Sequence, residues 1–201
     1  IMPSLVGSEM CIRDRPIIYH DPDLQRVSGI KGNVRDYPLK ELLCMSAYEP
    51  ERLGNRFKTE TITPLEALVD LLKENPEVTA FVELKEESIA HCGREVMLER
   101  VMHILASVKS QSVLISYDYC LVEAATMAQW SQVGVVLKQW LDLETDIVKS
   151  ITADYIFFDH KKLPQQISGL DSIKGKLVAY EVGDIALGKE LFNKGVSMLE
   201  T

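Results

Sequence analysis

The sequence lacks the features that mark several classes of protein. No apolar stretch approaches the roughly 18 residues that a membrane-spanning helix needs. Lysine and arginine number 22 against 30 aspartates and glutamates, the net charge is −8, and no long basic run occurs, which argues against a nucleic-acid surface. Neither G-x-G-x-x-G nor G-x-x-x-x-G-K-[ST] is present, so nothing favours a nucleotide-binding open sheet.

Cysteine is scarce and shows no pattern. The four cysteines form no C-x-x-C pair and have no metal-type spacing. Reduced thiols in a cytoplasmic protein are the simplest interpretation. The 201 residues, 46% hydrophobic and 26% charged, are typical of one globular domain with a full core. An acidic enzyme of this kind can handle an anionic substrate only with a local cation or a metal ion. The oligomeric state stays open.

The first 15 residues, IMPSLVGSEMCIRDR, differ from the rest of the chain. They carry neither the alternation of a strand nor the period of a helix, and their apolar run is too short for a signal peptide. The stretch SLVGSEMCIRDR resembles the translated adapter sequence found at the ends of proteins predicted from shotgun reads. We therefore expect residues 1–15 to be a foreign leader and the native domain to cover 16–201, with its true start lost.

From residue 79 onward, short apolar runs alternate with helical patterns. Strands are predicted at 79–85, 112–117, 133–138, 153–158, 176–182 and 197–200. They do not alternate cleanly with polar residues, which is typical of parallel strands covered by helices on both faces. Their starts are about 20 to 30 residues apart, as in successive βα units. An open doubly wound sheet gives the same order, but we predict an α/β fold with a (β/α)8 TIM-type barrel, two strands short at its N-terminal end.

Between residues 22 and 62 the regular pattern is lost, apart from a short helical piece at 38–45. A stretch of this length is too long for an ordinary loop, so it indicates a functional insertion or a small inserted subdomain. Residues 62–76 then read as a helix. Thr63 is its predicted N-cap, and Glu66, three positions later, would complete a capping box.

The stretch IIYHDPDLQR, residues 17–26, ends a strand with a histidine and an aspartate. One interpretation is a surface turn, since Asp-Pro pairs are common turn residues. The other is that His20 is an acid/base group held on a rigid element. An imidazole suits proton transfer near neutral pH, which makes the second interpretation chemically specific.

The stretch FVELKEE, residues 81–87, places two charged residues on a predicted buried strand. Glu83 and Lys85 are two positions apart, so both side chains point to one face. Burying them is costly unless they are used, although a salt bridge or an early end of the strand would also account for them. At the carboxyl end of a barrel strand, a carboxylate can bind a hard metal ion and a lysine can bind phosphate.

The order of motifs is strand-His-Asp, irregular insertion, T-P-L-E helix, strand-E-L-K, strand-I-S-Y-D and a closing G-V-x-x-x-E-T. Over roughly residues 16–201 this order resembles the glycerophosphodiester phosphodiesterase family. The resemblance implies a (β/α)8 barrel with an inserted subdomain. It also implies hydrolysis of a small-molecule glycerophosphodiester to glycerol 3-phosphate and an alcohol, with Mg²⁺ or Ca²⁺ as cofactor.

The resemblance also implies roles for particular residues. His20 matches one of two catalytic histidines, Glu83 one of three carboxylate metal ligands, and Lys85 a lysine that contacts phosphate. Ser116, in I-S-Y-D, is expected to face the site. Tyr180 stands where the family has a tryptophan that borders the substrate, and this departure leaves the identity of the released alcohol open.

A larger departure lies at the front of the chain. The family opens with H-R-G and E-x-D motifs, and neither precedes His20 here. We therefore expect the chain as given to be catalytically inactive. Alternative functions are a barrel phosphodiesterase acting on phosphoinositides or sphingomyelin, and a non-catalytic metabolite-binding barrel. Asp159, His160 and Glu200 follow or end predicted strands and could also reach the site.

Overall fold

The computed structural model describes residues 4–12, 15–164 and 173–201, with the backbone alone for residues 4–12. Residues 165–172, between the strands predicted at 153–158 and 176–182, therefore lie outside the described residues. The chain divides into two compact units, Ile1–Val113 and Leu114–Thr201. Within the described residues, no helix is both long enough and apolar enough to cross a membrane.

Strands and helices alternate along most of the described chain. The strands are β1 (Ser4–Ile12), β2 (Arg15–Ile18), β3 (Thr63–Pro64), β4 (Thr79–Leu84), β5 (Ser112–Ser116), β6 (Gln132–Val136), β7 (Tyr155–Asp159), β8 (Lys176–Tyr180) and β9 (Met198–Leu199). The α-helices are α1 (Gln25–Ser28), α2 (Leu39–Leu42), α3 (Pro50–Leu53), α4 (Leu65–Glu74), α5 (Glu86–Cys92), α6 (Arg94–Leu105), α7 (Tyr119–Met127), α8 (Asp146–Ser150) and α9 (Ile185–Asn193). Short 3₁₀ helices occupy Val34–Asp36, Ala106–Gln111, Trp140–Glu144 and His160–Lys162.

The sheet of the first unit is built around β1. β1 pairs in parallel with β4, so that Ser4 lies opposite Thr79 and Glu9 opposite Leu84. β2 folds back antiparallel on β1 with Ile18 also opposite Glu9, and β3 pairs with β2. Since Ile18 and Leu84 share a partner, β2 ends level with the carboxyl end of β4.

The core of the first unit lies against β4. Every residue of this strand after Thr79 is buried, as expected for a strand covered on both faces. Helices α4 and α6 pack against each other and bury side chains three or four positions apart. These are Leu65, Leu68 and Leu72 on α4 and Met97, Val101 and Leu105 on α6.

The segment 22–62, which had no regular pattern, folds around apolar contacts of its own. Helices α1, α2 and α3 are each four residues long. The end of β2, α1 and α2 and their flanking residues enclose a cluster of buried side chains: Ile17, Tyr19, Leu24, Val34, Leu42 and Ile62. Tyr19 and Leu24 belong to the cluster and lie on either side of His20, so the backbone at His20 is held in place.

The second unit is a run of parallel strands. β6 pairs with β7, β7 with β8 and β8 with β9, each in parallel. Residues Tyr155–Phe158 of β7 are all buried, and the ring of Phe158 meets that of Trp140 edge-on at 5.3 Å between centroids. The predicted α/β class with parallel strands is therefore confirmed, and the strands lie within about three residues of the predicted bounds.

Two features of the first unit do not follow from its sequence pattern. Residues 4–12, which have neither the alternation of a strand nor the period of a helix, form β1, because they pair with β4 on one side and β2 on the other. Backbone pairing of this kind does not require an alternating sequence. Between β4 and β5 the chain forms two helices, α5 and α6, because Gly93 has a φ of +87° that breaks the helical path.

The prediction of a capping box at the start of α4 is wrong. Pro64 is the N-cap and makes no side-chain cap bond. Thr63 lies in β3, where its hydroxyl donates to the carbonyl oxygen of Thr61 at 3.0 Å. Glu66 forms an ion pair with Arg15 at 2.8 Å. Thr63 thus takes part in strand pairing and Glu66 in an ion pair with Arg15 of β2, so neither side chain caps the helix.

The start of β8 depends on a glycine. Gly175 has a φ of +101°, and a Cβ there would lie 2.6 Å from the carbonyl oxygen of Ala153. The next amide, Lys176, donates to Asp154 at 2.8 Å, which holds the backbone in place. We expect Gly175→Ala to lower the free energy of unfolding by about 2–4 kcal/mol.

Gly183→Ala is the matched control, since a Cβ at Gly183 meets no described atom within 4 Å. Urea unfolding of both variants measures the difference. Equal stability of the two variants would contradict the close approach at Gly175.

Candidate functional site

A buried ion pair occupies the carboxyl end of β4. Glu83 Oε2 lies 2.8 Å from Lys85 Nζ, and the two side chains are only 8% and 16% exposed. The strand spacing of two places both on one side, and α5 begins at once after Lys85. The salt bridge that the sequence allowed is therefore present, in a buried setting.

The second carboxylate oxygen of Glu83 has no such partner. Oε1 is buried, and within the described part of the chain it accepts no hydrogen bond. A buried acceptor left unpaired costs about 1–3 kcal/mol, so this oxygen is available to a cation or to a donor from a ligand.

A complete metal site is not found among the described residues. They contain no group of three or more histidine, cysteine, aspartate or glutamate side chains placed to hold an ion. A hard cation takes six or more oxygen ligands, several of them from protein carboxylates or carbonyls. Glu83 fits one ligand position of such a site, and the other described residues do not complete it.

The second candidate group lies just beyond β2. His20 Nδ1 is 2.5 Å from Asp21 Oδ1, and the imidazole is 64% exposed. Arg26 binds Asp21 with two prongs, from Nε to Oδ2 at 2.6 Å and from the terminal nitrogen Nη2 to Oδ1 at 2.7 Å. Its remaining nitrogen, Nη1, bonds Glu49 at 3.1 Å. The exposed imidazole is therefore tied to a chain of charged partners.

The contacts among these charged residues shift the pKa values of Asp21 and Arg26. The hydrogen bonds from Arg26, with a smaller effect from His20, hold the pKa of Asp21 below its usual value, although partial burial opposes them. The same contacts raise the pKa of the Arg26 guanidinium. Asp21 is therefore a carboxylate at neutral pH, and it can accept a hydrogen bond from a protonated ring nitrogen of His20.

The strand register brings the two groups to the same edge of the sheet. β2 ends level with Leu84, two strands away across β1. At about 4.8 Å between neighbouring strands, the backbones are about 10 Å apart. We predict that the functional atoms of His20, Glu83 and Lys85 lie within about 10 Å of one another, as side chains at one barrel mouth do.

Ser116, in the second unit, has a local structural role. It is fully buried, and its Oγ accepts the backbone N–H of Asp118 at 3.0 Å. Asp118 in turn caps α7 by accepting the N–H of Leu121 at 3.1 Å. The I-S-Y-D motif therefore builds the turn from β5 into α7, and a substrate contact by Ser116 stays a prediction.

Tyr180 ends β8 beside other polar groups of the second unit. Its hydroxyl lies 3.1 Å from that of Tyr117, and its carbonyl oxygen lies 3.0 Å from His160 Nδ1. Asp159 accepts the N–H of Lys161 and so caps the next 3₁₀ helix. Glu200 pairs through its backbone with Ala179 and Val182. Tyr180, His160 and Asp159 therefore take part in local structure through these bonds, whereas the bonds of Glu200 to Ala179 and Val182 involve its backbone alone.

Sequence reasoning missed Arg26 and Glu49. Both lie in the segment 22–62, where no periodic pattern indicates which side chains meet. Arg26 is on α1 and Glu49 immediately precedes α3. Only the fold of the segment brings them together, so spacing alone contained no signal for the pair.

Comparison with known proteins finds similar structures but no close sequence relative. No protein-family model matches the sequence, and no curated protein matches it significantly. A phosphodiesterase from Oleispira antarctica, solved with its product sn-glycerol 3-phosphate, is 20% identical, with a TM-score of 0.81 over 97% of this chain and 79% of that one. A glycerophosphodiester phosphodiesterase from Parabacteroides distasonis is 17% identical, with a TM-score of 0.74 over 98% and 78%.

A third similar structure is the glycerophosphodiester phosphodiesterase of Agrobacterium tumefaciens. It is 16% identical, with a TM-score of 0.70 over 98% of this chain and 82% of that one. The resemblance predicted from the motifs is confirmed at the level of the fold. The similar structures belong to the class predicted for this chain, the phosphoric diester hydrolases.

The depressed pKa of Asp21 predicts a pH-dependent contribution to stability. A carboxyl whose pKa is lower in the folded state stabilises the fold above its ordinary value, here 3.8, and loses that effect as the pH falls through the folded value. Because Arg26 is about half exposed, we expect Asp21→Asn to cost only about 1–2 kcal/mol at pH 7.

The comparison is urea unfolding of the wild type and Asp21→Asn at pH 7 and at about pH 3. The difference between the two should shrink at the lower pH. Asp70→Asn, at an exposed position on α4, is the control and should change little at either pH. A loss in Asp21→Asn that does not depend on pH would show that the ion pair with Arg26 is not its cause.

Proposed function

We propose that the protein acts on glycerophosphodiesters, hydrolysing them to glycerol 3-phosphate and an alcohol. The observation that carries the proposal is the buried Glu83–Lys85 pair at the end of β4, with one carboxylate oxygen that has no partner among the described residues. The fold of the similar phosphodiesterases supports it. The Oleispira antarctica enzyme binds sn-glycerol 3-phosphate, and we propose the same product for this chain.

The described side chains suit separate parts of this chemistry. A phosphodiester is an anion, and the Lys85 ammonium offsets the repulsion between it and an attacking oxygen. His20 exchanges a proton with the attacking or departing oxygen, a role worth about a hundred- to ten-thousand-fold in rate. The proposal that Ser116 and Tyr180 contact substrate rests on the sequence resemblance alone.

The finer features of the protein are part of the same proposal. Mg²⁺ or Ca²⁺ would use Glu83 Oε1 as one oxygen ligand and would supply positive charge next to the phosphate. The parallel strands would belong to a (β/α)8 barrel, with residues 22–62 as its inserted subdomain. The protein would work in the cytoplasm.

Binding of sn-glycerol 3-phosphate tests the site without requiring turnover. We expect Lys85→Met to weaken binding by at least about tenfold, since a charge-assisted hydrogen bond contributes about 1.5–3 kcal/mol. Ca²⁺ should strengthen binding by the wild type and should have little effect on Glu83→Gln, which keeps the shape of the side chain but not its charge. Isothermal titration calorimetry measures both effects.

Two surface variants serve as controls for this titration. Lys149→Met removes a lysine that pairs with Glu144 at the surface, and Glu77→Gln removes an exposed carboxylate that lies before β4. Both should bind like the wild type. Failure of the wild type to bind glycerol 3-phosphate, or equal losses in the controls, would contradict the proposed site.

The described residues supply only part of the proposed catalytic and metal site, so we expect this chain on its own to show little or no turnover of glycerophosphocholine. One carboxylate oxygen holds a hard cation weakly, and no other described carboxylate completes the site. The measurement is the release of glycerol 3-phosphate with and without Mg²⁺ or Ca²⁺. Cation-dependent turnover near the typical enzyme value of about 10 s⁻¹ would refute this expectation, and cleavage of phosphoinositides or sphingomyelin instead would refute the proposed substrate.

A further inference from the structure

Arg26 holds Asp21 in a geometry that a simple surface ion pair does not need. It approaches both carboxylate oxygens at 2.6 and 2.7 Å, and the nitrogen that meets Oδ1, Nη2, lies 3.3 Å from His20 Nδ1. A guanidinium bound to a carboxylate by two parallel bonds fixes its orientation as well as its position. The plane of the Asp21 carboxylate is therefore set by Arg26.

Arg26 is itself held from the far side by Glu49. Glu49 has a φ of +47°, a left-handed conformation that costs a residue other than glycine about 1–2 kcal/mol. Its N–H donates to the carbonyl oxygen of Val27 at 3.0 Å, which keeps it beside α1, and Arg52 also bonds its carboxylate. An unfavourable backbone conformation is thus retained at the position where it places a carboxylate against Arg26.

The contacts also determine which nitrogen of His20 carries the proton. A carboxylate only accepts hydrogen bonds, so at 2.5 Å from Asp21 Oδ1 the ring nitrogen Nδ1 must be the donor. A protonated Nδ1 cannot also accept from Arg26, so the 3.3 Å approach between them is a contact and not a second hydrogen bond. In the neutral ring the lone pair then lies on Nε2, the nitrogen directed away from this chain of partners.

We propose that Arg26, anchored by Glu49, is a positioning residue for His20, fixing Asp21 so that the imidazole is protonated on Nδ1 and presents an unprotonated Nε2 to the substrate. The inference rests on the proposed function, in which His20 exchanges a proton with a substrate oxygen. In that exchange the proton moves from the oxygen to Nε2, and Asp21 stabilises the imidazolium that results. Arg26 does not touch the substrate and acts only through Asp21.

The test is the tautomer of His20, measured by nitrogen-15 NMR of protein labelled at histidine. The chain has four histidines, and His20→Asn identifies the signals of this one. In the wild type we expect Nδ1 to carry the proton. In Arg26→Gln the ratio of the Nδ1-protonated to the Nε2-protonated form should fall by about tenfold. Arg26→Lys cannot form two parallel hydrogen bonds to the carboxylate, so its ratio should lie between those of the wild type and Arg26→Gln.

Arg52→Gln is the matched control, because Arg52 also bonds Glu49 but has no contact with Asp21 among the described residues. It should keep the wild-type tautomer ratio. Asp21→Asn should lose the preference for Nδ1 and so tests the same chain of contacts if Arg26→Gln fails to fold. An unchanged ratio in the folded Arg26 variants, or an equal change in Arg52→Gln, would overturn the proposal.

The NMR measurement separates this inference from the proposed function, because it involves no substrate. If the tautomer depends on Arg26 but glycerol 3-phosphate does not bind, the positioning role stands and the assigned chemistry fails. If the product binds but the tautomer does not respond to Arg26, the reverse holds.

Discussion

The proposed function depends on one interaction, the buried ion pair between Glu83 and Lys85. Each offsets the cost of burying the other, yet among the described residues one oxygen of Glu83 has no donor. Replacing a buried ion pair with apolar side chains is often neutral or stabilising, so a buried pair is weak evidence of a role in stability. The proposed site for an anion and a cation would use both a fixed ammonium and an available carboxylate oxygen.

His20, the proposed acid/base group that follows β2, is held in a different way. Its imidazole is 64% exposed. Its position comes from the buried cluster that includes Tyr19 and Leu24, which fixes the chain on either side. Its orientation comes from Asp21, Arg26 and Glu49. A solvent-facing imidazole can in this way have a defined geometry while remaining open to a substrate.

The sequence predicted the parts of the structure that follow from short-range rules. The buried β4 and the shared face of Glu83 and Lys85 follow from the period of a strand, and the α/β class follows from the order of apolar runs. The remainder depends on partners distant in the sequence. β1 forms because two other strands flank it, and Arg26 meets Glu49 only through the fold of the segment 22–62, which has a buried cluster of its own.

One local signal, the capping box before α4, failed because tertiary contacts competed with it. Thr63 and Glu66 have the residue types of a capping box, but pairing in β3 and an ion pair with Arg15 take their polar groups. The residue types of the box were informative and their partners were not, since the fold determines which groups meet.

The most direct test of the account is a crystal structure of the protein with bound sn-glycerol 3-phosphate. The account predicts one phosphate group with oxygens within about 3 Å of both Lys85 Nζ and His20 Nε2, the distance of a hydrogen bond. A phosphate bound elsewhere, or a separation between Lys85 and His20 too wide for one phosphate to bridge, would contradict it.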